Sequence, residues 1–199
     1  QKLDIILKGK INFAAVPPQT VRLAHHTSEP LYMLLKPILA ESNNLYAESI
    51  TKTLGARVHG VGSFKTGSAV VKQVLSEATG IDFAQARLLD GSGESRYNLI
   101  TPRHLARLLH SMRNEKHLAP HFRNALAMSG MNGTLQNRFS KLSPNVQAKT
   151  GSLNGVSTLA GYFISKDKQE LIVAIMINGA LESKVLLRQF EDDLCYYIM

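Results

Sequence analysis

The stretch Val146–Phe163, read V-Q-A-K-T-G-S-L-N-G-V-S-T-L-A-G-Y-F, decides the fold. Lys149-Thr150-Gly151 stands at its centre. Thr158–Ile164 follows, then a polar break at Ser165–Gln169 and the apolar run Leu171–Ile177. Two short apolar runs bounded by turn residues predict an antiparallel hairpin, with Lys-Thr-Gly on the strand before it. Side chains alternate along a strand, so Lys149 and Gly151 share one face and Thr150 takes the other. A glycine two residues past the lysine leaves room for a ligand along the strand edge. The lysine then offers a fixed cation to a carboxylate.

Ser42-Asn43-Asn44 is the second informative stretch. Read alone it is a helix cap, because Ser and Asn accept from the free N–H groups of a first turn. Ser-x-Asn on a helical loop and Lys-Thr-Gly on a strand are also two of the three motifs of penicillin-recognising serine enzymes. The third, Ser-x-x-Lys, carries the nucleophile, and residues 1–41 contain no such pattern.

With S-N-N-L-Y-A-E at 42–48 come D-G-S-G-E-S-R-Y-N at 90–98, G-M-N-G-T-L-Q-N-R at 130–138 and A-K-T-G-S-L-N-G-V at 148–156. In this order the motifs resemble the C-terminal part of the D-alanyl-D-alanine carboxypeptidases/endopeptidases of the penicillin-binding protein 4 type, the low-molecular-mass class C group. The resemblance runs from about Ala24 to the C-terminus. The chain departs from it at Asn43, where Asp or another residue is usual. It departs again at Glu94, where Leu is usual, and this puts a charge beside the loop.

The resemblance implies a penicillin-binding protein/β-lactamase-like α/β fold: an antiparallel sheet packed by helices, plus a mainly helical region. It implies that residues 1–28 are a strand and connection returning from an accessory insertion. Residues 29–199 are then the C-terminal part of the peptidase domain, 31–139 mainly helical and 140–199 strand, hairpin and helix. Ser42 is implied as the group that passes a proton to or from the leaving nitrogen. Asn44 is implied to bond substrate or the nucleophile's lysine, and Lys149 with Thr150 to hold the terminal carboxylate. Gly151 lines the site, the Ser152 N–H forms half an oxyanion hole, and Arg96 faces or braces the cleft. The implied partners are peptidoglycan stem peptides, β-lactam antibiotics and a missing N-terminal half bearing the nucleophile, without which the chain is expected to be inactive. The implied location is the periplasm, reached by an export signal lost with that half. No cofactor or metal is implied.

Bulk properties agree with a folded domain. The 199 residues are 44% hydrophobic, enough for one sizeable core. No apolar run approaches the ~20 residues of a membrane span. The net charge of +8 admits an acidic partner. The rival reading is therefore a basic module for nucleic acid or a cell-wall polymer, and a third is a non-catalytic binder of wall peptide. The lysines and arginines form no stripe interleaved with aromatics, which speaks against nucleic acid. Cys195 is the single cysteine, so no intrachain disulfide forms.

The remaining elements follow from periodicity and caps. Leu3–Phe13 reads as one or two strands broken at Lys8-Gly9-Lys10. Ser28 is the expected cap of a helix with Leu31, Leu34, Leu35, Ile38 and Leu39 buried and a kink or split at Pro37. The next helix spans Leu45–Leu54, with Gly55 as its stop. Gly62–Gly67 repeats Lys-Thr-Gly but fails the phosphate-loop pattern, so it reads as turn and cap before a helix ending near Gly80. Arg87–Asp90 reads as a short strand leading into a Gly91-Ser92-Gly93 turn. Thr101 caps a helix opened by Pro102, with Leu105, Leu108, Leu109 and Met112 buried. The histidines, among them His104, read as surface residues without metal-ligand spacing. A final helix over about Leu181–Met199 is expected to bury Val185, Leu186, Phe190, Leu194 and Tyr197.

Overall fold

The structure, a computed structural model, describes residue 6, residues 8–10 and residues 12–199. The expected strand at Leu3–Phe13 falls partly outside the described residues, and the described residues before Leu31 are in no strand.

The sheet is the frame. Its four strands, β1 (Ala127–Met128), β2 (Val146–Leu153), β3 (Val156–Ile164) and β4 (Glu170–Asn178), lie in the order β1-β2-β3-β4, all antiparallel. The hairpin expected from the sequence is β3–β4, and Lys-Thr-Gly is on β2 as predicted. The register aligns Lys149 with Ala160 and Ala174, and Thr150 with Leu159 and Ile175. One face therefore carries Lys149, Tyr162 and Ile172, and the other Val146, Leu159, Phe163 and Val173.

Helices cover both faces. Helix α1 (Leu31–Leu39) is followed by α2 (Asn44–His59), α3 (Phe64–Thr79), α4 (Pro102–Asn114) and α5 (Ala119–Ala125), all before the main sheet. On the Lys149 face, Tyr162 packs with Leu109 of α4 and Leu126, and its hydroxyl donates to the Leu109 carbonyl at 2.7 Å. On the other face, Val146, Leu159, Phe163 and Val173 pack with Phe139 and with Cys195 and Met199 of the chain end. Phe139 meets Phe163 edge to face, the arrangement that the ring quadrupoles favour. Burial pushes the Cys195 thiol up to about 12, so it stays a neutral core group at physiological pH.

The last helix, α6 (Lys184–Ile198), corrects the sequence reading. It turns Leu187, Glu191 and Cys195 inward, and Met199 after it, while Val185, Leu186, Phe190 and Tyr197 are exposed. The period was right and the face was not. The face is set by a charge: Arg138 donates to Glu191 at 2.9 Å and pairs with Asp192, and Glu191 is 0% exposed. A buried carboxylate needs a cation and hydrogen bonds, and these outrank a larger apolar stripe.

Other ends differ as well. Pro30, not Ser28, precedes α1, and no side chain caps it. Pro37 sits in the last turn without splitting the helix, since there its missing N–H forfeits a single bond. Leu31 is 61% exposed, and Leu34, Leu35, Ile38 and Leu39 are only half-buried, so no residue of α1 is fully buried. Gly55 does not stop α2, which runs to His59 and ends on Gly60 in the left-handed conformation. Gly55 is instead where α2 crosses α3: a Cβ there would lie 2.4 Å from Thr66 Oγ1 and 2.7 Å from Gly67 N. Gly67 meets α2 in turn, with a Cβ position 2.1 Å from the Thr51 carbonyl. The second Lys-Thr-Gly thus lies in the first turn of α3, behind a Ser63–Thr66 capping box, as its bland reading required. Arg87–Asp90 makes only a single bridge, Arg87 to Leu99. His104 is half-buried rather than on the surface, because it stacks on Phe83 and closes the Thr101 capping box at α4.

Candidate active site

Ser42 stands at a joint between helices. After α1 the Asn43 N–H returns to the Pro37 carbonyl at 2.9 Å, closing a seven-residue turn. Within that turn Ser42 is left-handed, with φ 61°. An L-residue adopts this conformation at a cost of about 1–2 kcal/mol, which marks the position as constrained. Asn43 then accepts from the Tyr46 N–H and caps α2, leaving Asn44 as the first helical residue. The cap reading of Ser-Asn-Asn holds at Asn43, while Ser42 and Asn44 on either side bond to β2 and to the 90–98 loop.

The 130–138 stretch supports the joint from below. Ala40 is 1% exposed, and its carbonyl accepts from Thr134 N at 3.0 Å. At Gly133 (φ 56°) a Cβ would lie 2.3 Å from the same carbonyl, so only glycine lets the backbones approach so closely. Arg138, at the end of this stretch, points to α6 and takes no part in the cleft.

Lys149 comes to the joint from the sheet. Its Nζ donates to Ser42 Oγ at 2.8 Å and to the Thr150 carbonyl at 2.6 Å, although Ser42 and Lys149 are 107 positions apart. Burial holds the Lys149 ammonium below its ordinary pKa. Both oxygens it meets are neutral, and no carboxylate among the described residues pairs with it. A desolvated cation with neutral neighbours is suited to receive an anion.

The edge of β2 beside it is open. Strand β1 covers only Gln147 and Ala148, so Lys149–Leu153 has no partner strand on that side among the described residues. Extended peptides add to such edges through main-chain hydrogen bonds. Gly151, Ser152 and Leu153 also line a cavity of about 650 Å³ reaching to Ile100, Met176 and Ser68. The Ser68 hydroxyl is buried with no partner among the described residues. Ser42 and Lys149 lie outside that lining. Thr150 is half-buried in the alternate row, so any contact of its hydroxyl with a ligand is made around the open edge.

The 90–98 loop closes the third side. Glu48 of α2 accepts from Gly91 N at 3.0 Å, Ser92 N at 3.2 Å and Ser92 Oγ at 2.6 Å. Asp90 accepts from Gly93 N, Ser95 N and Asn98 Nδ2, which shapes the turn from inside. Arg96 reaches across and donates from Nη2 to the Asn154 carbonyl at 2.7 Å, at the β2–β3 turn. Arg96 is thus a brace bound to backbone. Asn44 Nδ2 donates to Glu94 Oε1 at 2.6 Å.

Ser42, Asn44 and Lys149 thus lie where α2, the loop and β2 meet, while Gly151, Ser152 and Arg96 line the neighbouring cavity. Sequence reasoning gave no role to Glu48 and no partner to Glu94. Glu48 lies inside the S-N-N-L-Y-A-E stretch, but its partners are backbone groups 43 and 44 positions away, which no motif spacing reveals. Ser-x-x-Lys also occurs at Ser49–Lys52 and Ser165–Lys168, and both serines are engaged elsewhere. Ser49 bonds the Leu45 carbonyl and Lys52 lies over the Phe64 ring. Ser165 accepts from Gln169 N in the β3–β4 turn. Among the described residues, no three His, Cys, Asp or Glu side chains are grouped to hold a metal ion, and no helix is long and apolar enough to cross a membrane.

Residues 1–194 match the family model described as the D-Ala-D-Ala carboxypeptidase 3 (S13) family. The chain is 36% identical over 207 aligned positions to the D-alanyl-D-alanine carboxypeptidase DacB of Haemophilus influenzae, covering 98% of this chain and 43% of that protein. A crystal structure of penicillin binding protein 4 (dacB) from Haemophilus influenzae, complexed with a novel β-lactam, superposes with a TM-score of 0.77 at 32% identity. That match covers 92% of this chain and 46% of the other. The TLA-3 extended-spectrum β-lactamase is alike in fold alone, with a TM-score of 0.61 at 16% identity over 84% of this chain and 62% of that one. The chain thus spans less than half the length of the carboxypeptidase it matches, and its fold is that of penicillin-binding proteins and β-lactamases.

Proposed function

The chain belongs to the D-Ala-D-Ala carboxypeptidase 3 (S13) family, and on that premise we propose that it supplies one wall of a serine DD-peptidase active site. The attacking serine and its lysine come from a segment outside these 199 residues. The substrate is the D-Ala-D-Ala end of a peptidoglycan stem peptide, the inhibitors are β-lactams, and the setting is the periplasmic side of a bacterial envelope.

The observation that carries this reading is the Lys149–Ser42 contact of 2.8 Å beside an unpaired strand edge. Acyl transfer needs a nucleophile, a base, an acid for the leaving amine and donors for the oxyanion. Ser42, hydrogen-bonded to Lys149, is the proposed relay of a proton to the departing nitrogen. Lys149 takes the substrate's terminal carboxylate, and removing that cation abolishes a charge-assisted bond of about 1.5–3 kcal/mol. Thr150 assists from the edge. Gly151 leaves the edge unobstructed, and the Ser152 N–H is one of two oxyanion donors. Asn44 bonds the substrate or the incoming lysine. The chemistry as proposed uses side chains and backbone N–H groups alone.

The test is covalent labelling. The 199-residue chain is incubated with a fluorescent penicillin and weighed intact, then the experiment is repeated with the upstream coding sequence restored. The expected result is no adduct on the chain alone and a stoichiometric one upstream in the longer protein. Losing one oxyanion donor by itself slows acyl transfer by roughly 10²–10³. Labelling of Ser42, Ser49 or Ser165 in the isolated chain would overturn the assignment of the nucleophile.

A further inference from the structure

Glu94 has a contact that the chemistry above does not use. Its neighbours Glu48 and Asp90 are each taken up by several donors of the loop itself. Glu94 accepts one hydrogen bond, from Asn44 Nδ2 at 2.6 Å, across 50 positions. The loop does not need that bond for its place. Glu48 ties it to α2, and Arg96 ties it to the β2–β3 turn.

What the bond does follows from the asymmetry of a primary amide. One end of Asn44 donates two hydrogens and the other only accepts. The two ends have nearly the same shape, so packing discriminates poorly between them. A carboxylate accepts and does not donate. Glu94 therefore forces the NH2 end toward itself and turns the Oδ1 end the opposite way.

We infer that Glu94 is a positioning residue that fixes the flip state of Asn44, reserving Asn44 Oδ1 for a donor, either an ammonium group or a peptide N–H. The second N–H of the amide is left for an acceptor. An apolar residue at position 94 exerts no such choice. The inference rests on the proposed role of Asn44 in substrate handling, but the bond itself is testable without catalysis.

The experiment compares the native chain with Glu94→Leu and Glu94→Gln, using nitrogen-15 spectra of the asparagine side-chain amides. The exposed Asn114 and Asn124 serve as internal references. In the native chain one Asn44 amide proton is expected well downfield of those references. Glu94→Leu collapses it onto them. Glu94→Gln, which both accepts and donates, gives a single averaged set of Asn44 signals lying between the other two. An Asn44 spectrum unchanged in Glu94→Leu, or already solvent-like in the native chain, overturns the inference. Penicillin acylation in the longer protein then separates positioning from packing. Glu94→Leu is expected to slow it about twofold, as the competent fraction of Asn44 falls from near one to near one half. Glu94→Gln is expected to retain more than Glu94→Leu, with both melting within about 2 °C of the native protein, since surface changes are usually within ±0.5 kcal/mol. Equal acylation in all three proteins overturns the positioning role. If the native longer protein is not acylated at all, the functional proposal fails while the spectra still decide the amide bond.

Discussion

Ser42 offers a measurement in which the hydroxyl cancels. Ser42→Ala and Ser42→Gly both remove the acceptor of the Lys149 hydrogen bond, and they differ only in whether a Cβ remains at φ 61°. A left-handed conformation costs an L-residue about 1–2 kcal/mol that glycine escapes. Glycine gives back roughly 0.5–1 kcal/mol through the greater freedom of the unfolded chain. The difference leaves Ser42→Gly more stable than Ser42→Ala by about 0–1.5 kcal/mol, centred near 0.75 kcal/mol. For a chain of this size the central value is about 1–4 °C in melting temperature. Thermal melts followed by circular dichroism, backed by urea titrations at the same pH, read it directly. In the longer protein both variants are expected to lose peptidase turnover. A Ser42→Ala chain as stable as Ser42→Gly, or more so, would refute the claim that this serine is held in a strained turn.

Two other outcomes follow from buried charge. Lys149→Met is expected to melt at or above the native temperature at pH 7, while turnover of carboxylate-terminated substrate falls about 10- to 150-fold, the equivalent of a 1.5–3 kcal/mol charged hydrogen bond. Because burial lowers the Lys149 pKa in the folded state, the native chain binds fewer protons than the unfolded one as pH approaches 10.5. Stability therefore carries a penalty at neutral pH that is relieved on the way up to 10.5, and the melting temperature of Lys149→Met measured against pH should lack that rise. Arg138→Met leaves Glu191 buried without its cation and is expected to lose about 3–5 kcal/mol in urea unfolding; adding Glu191→Met should recover much of it, and a double variant no better than the single would contradict the pairing.

The hairpin and the strand under Lys-Thr-Gly were legible because alternation and turn residues are local signals. So were the capped starts of α3 and α4, where Ser63 and Thr101 announce the first turn. The failures have a common cause in contacts between distant segments. Gly55 looks like a stop in isolation and is a crossing point once α3 is in place. The α6 face looked settled by Val185, Phe190 and Leu194, but Arg138, 53 positions from Glu191, brings the other face inward. At the cleft, the residue types of Ser42, Asn44 and Lys149 were readable from motif order. The left-handed turn at Ser42 and the Glu94–Asn44 bond were not, since neither has a pattern in the sequence.

The exposed side of α6 and the outer edge of β4 bear on how these residues behave as a solute. Strand β4 ends the sheet, so the outward-facing half of the backbone donors and acceptors along E-L-I-V-A-I-M-I-N has no neighbouring strand among the described residues. An apolar edge of that length is a template for other chains, and native proteins cover or charge such edges. Phe190, 57% exposed, and Val185, 74% exposed, add adhesive patches on the helix. A net charge of +8 holds molecules apart at low ionic strength. At physiological salt that repulsion reaches only about 8 Å. The isolated chain is thus poised to cluster as salt is raised, and dilute, low-salt buffer is the condition in which its cleft is open to measurement.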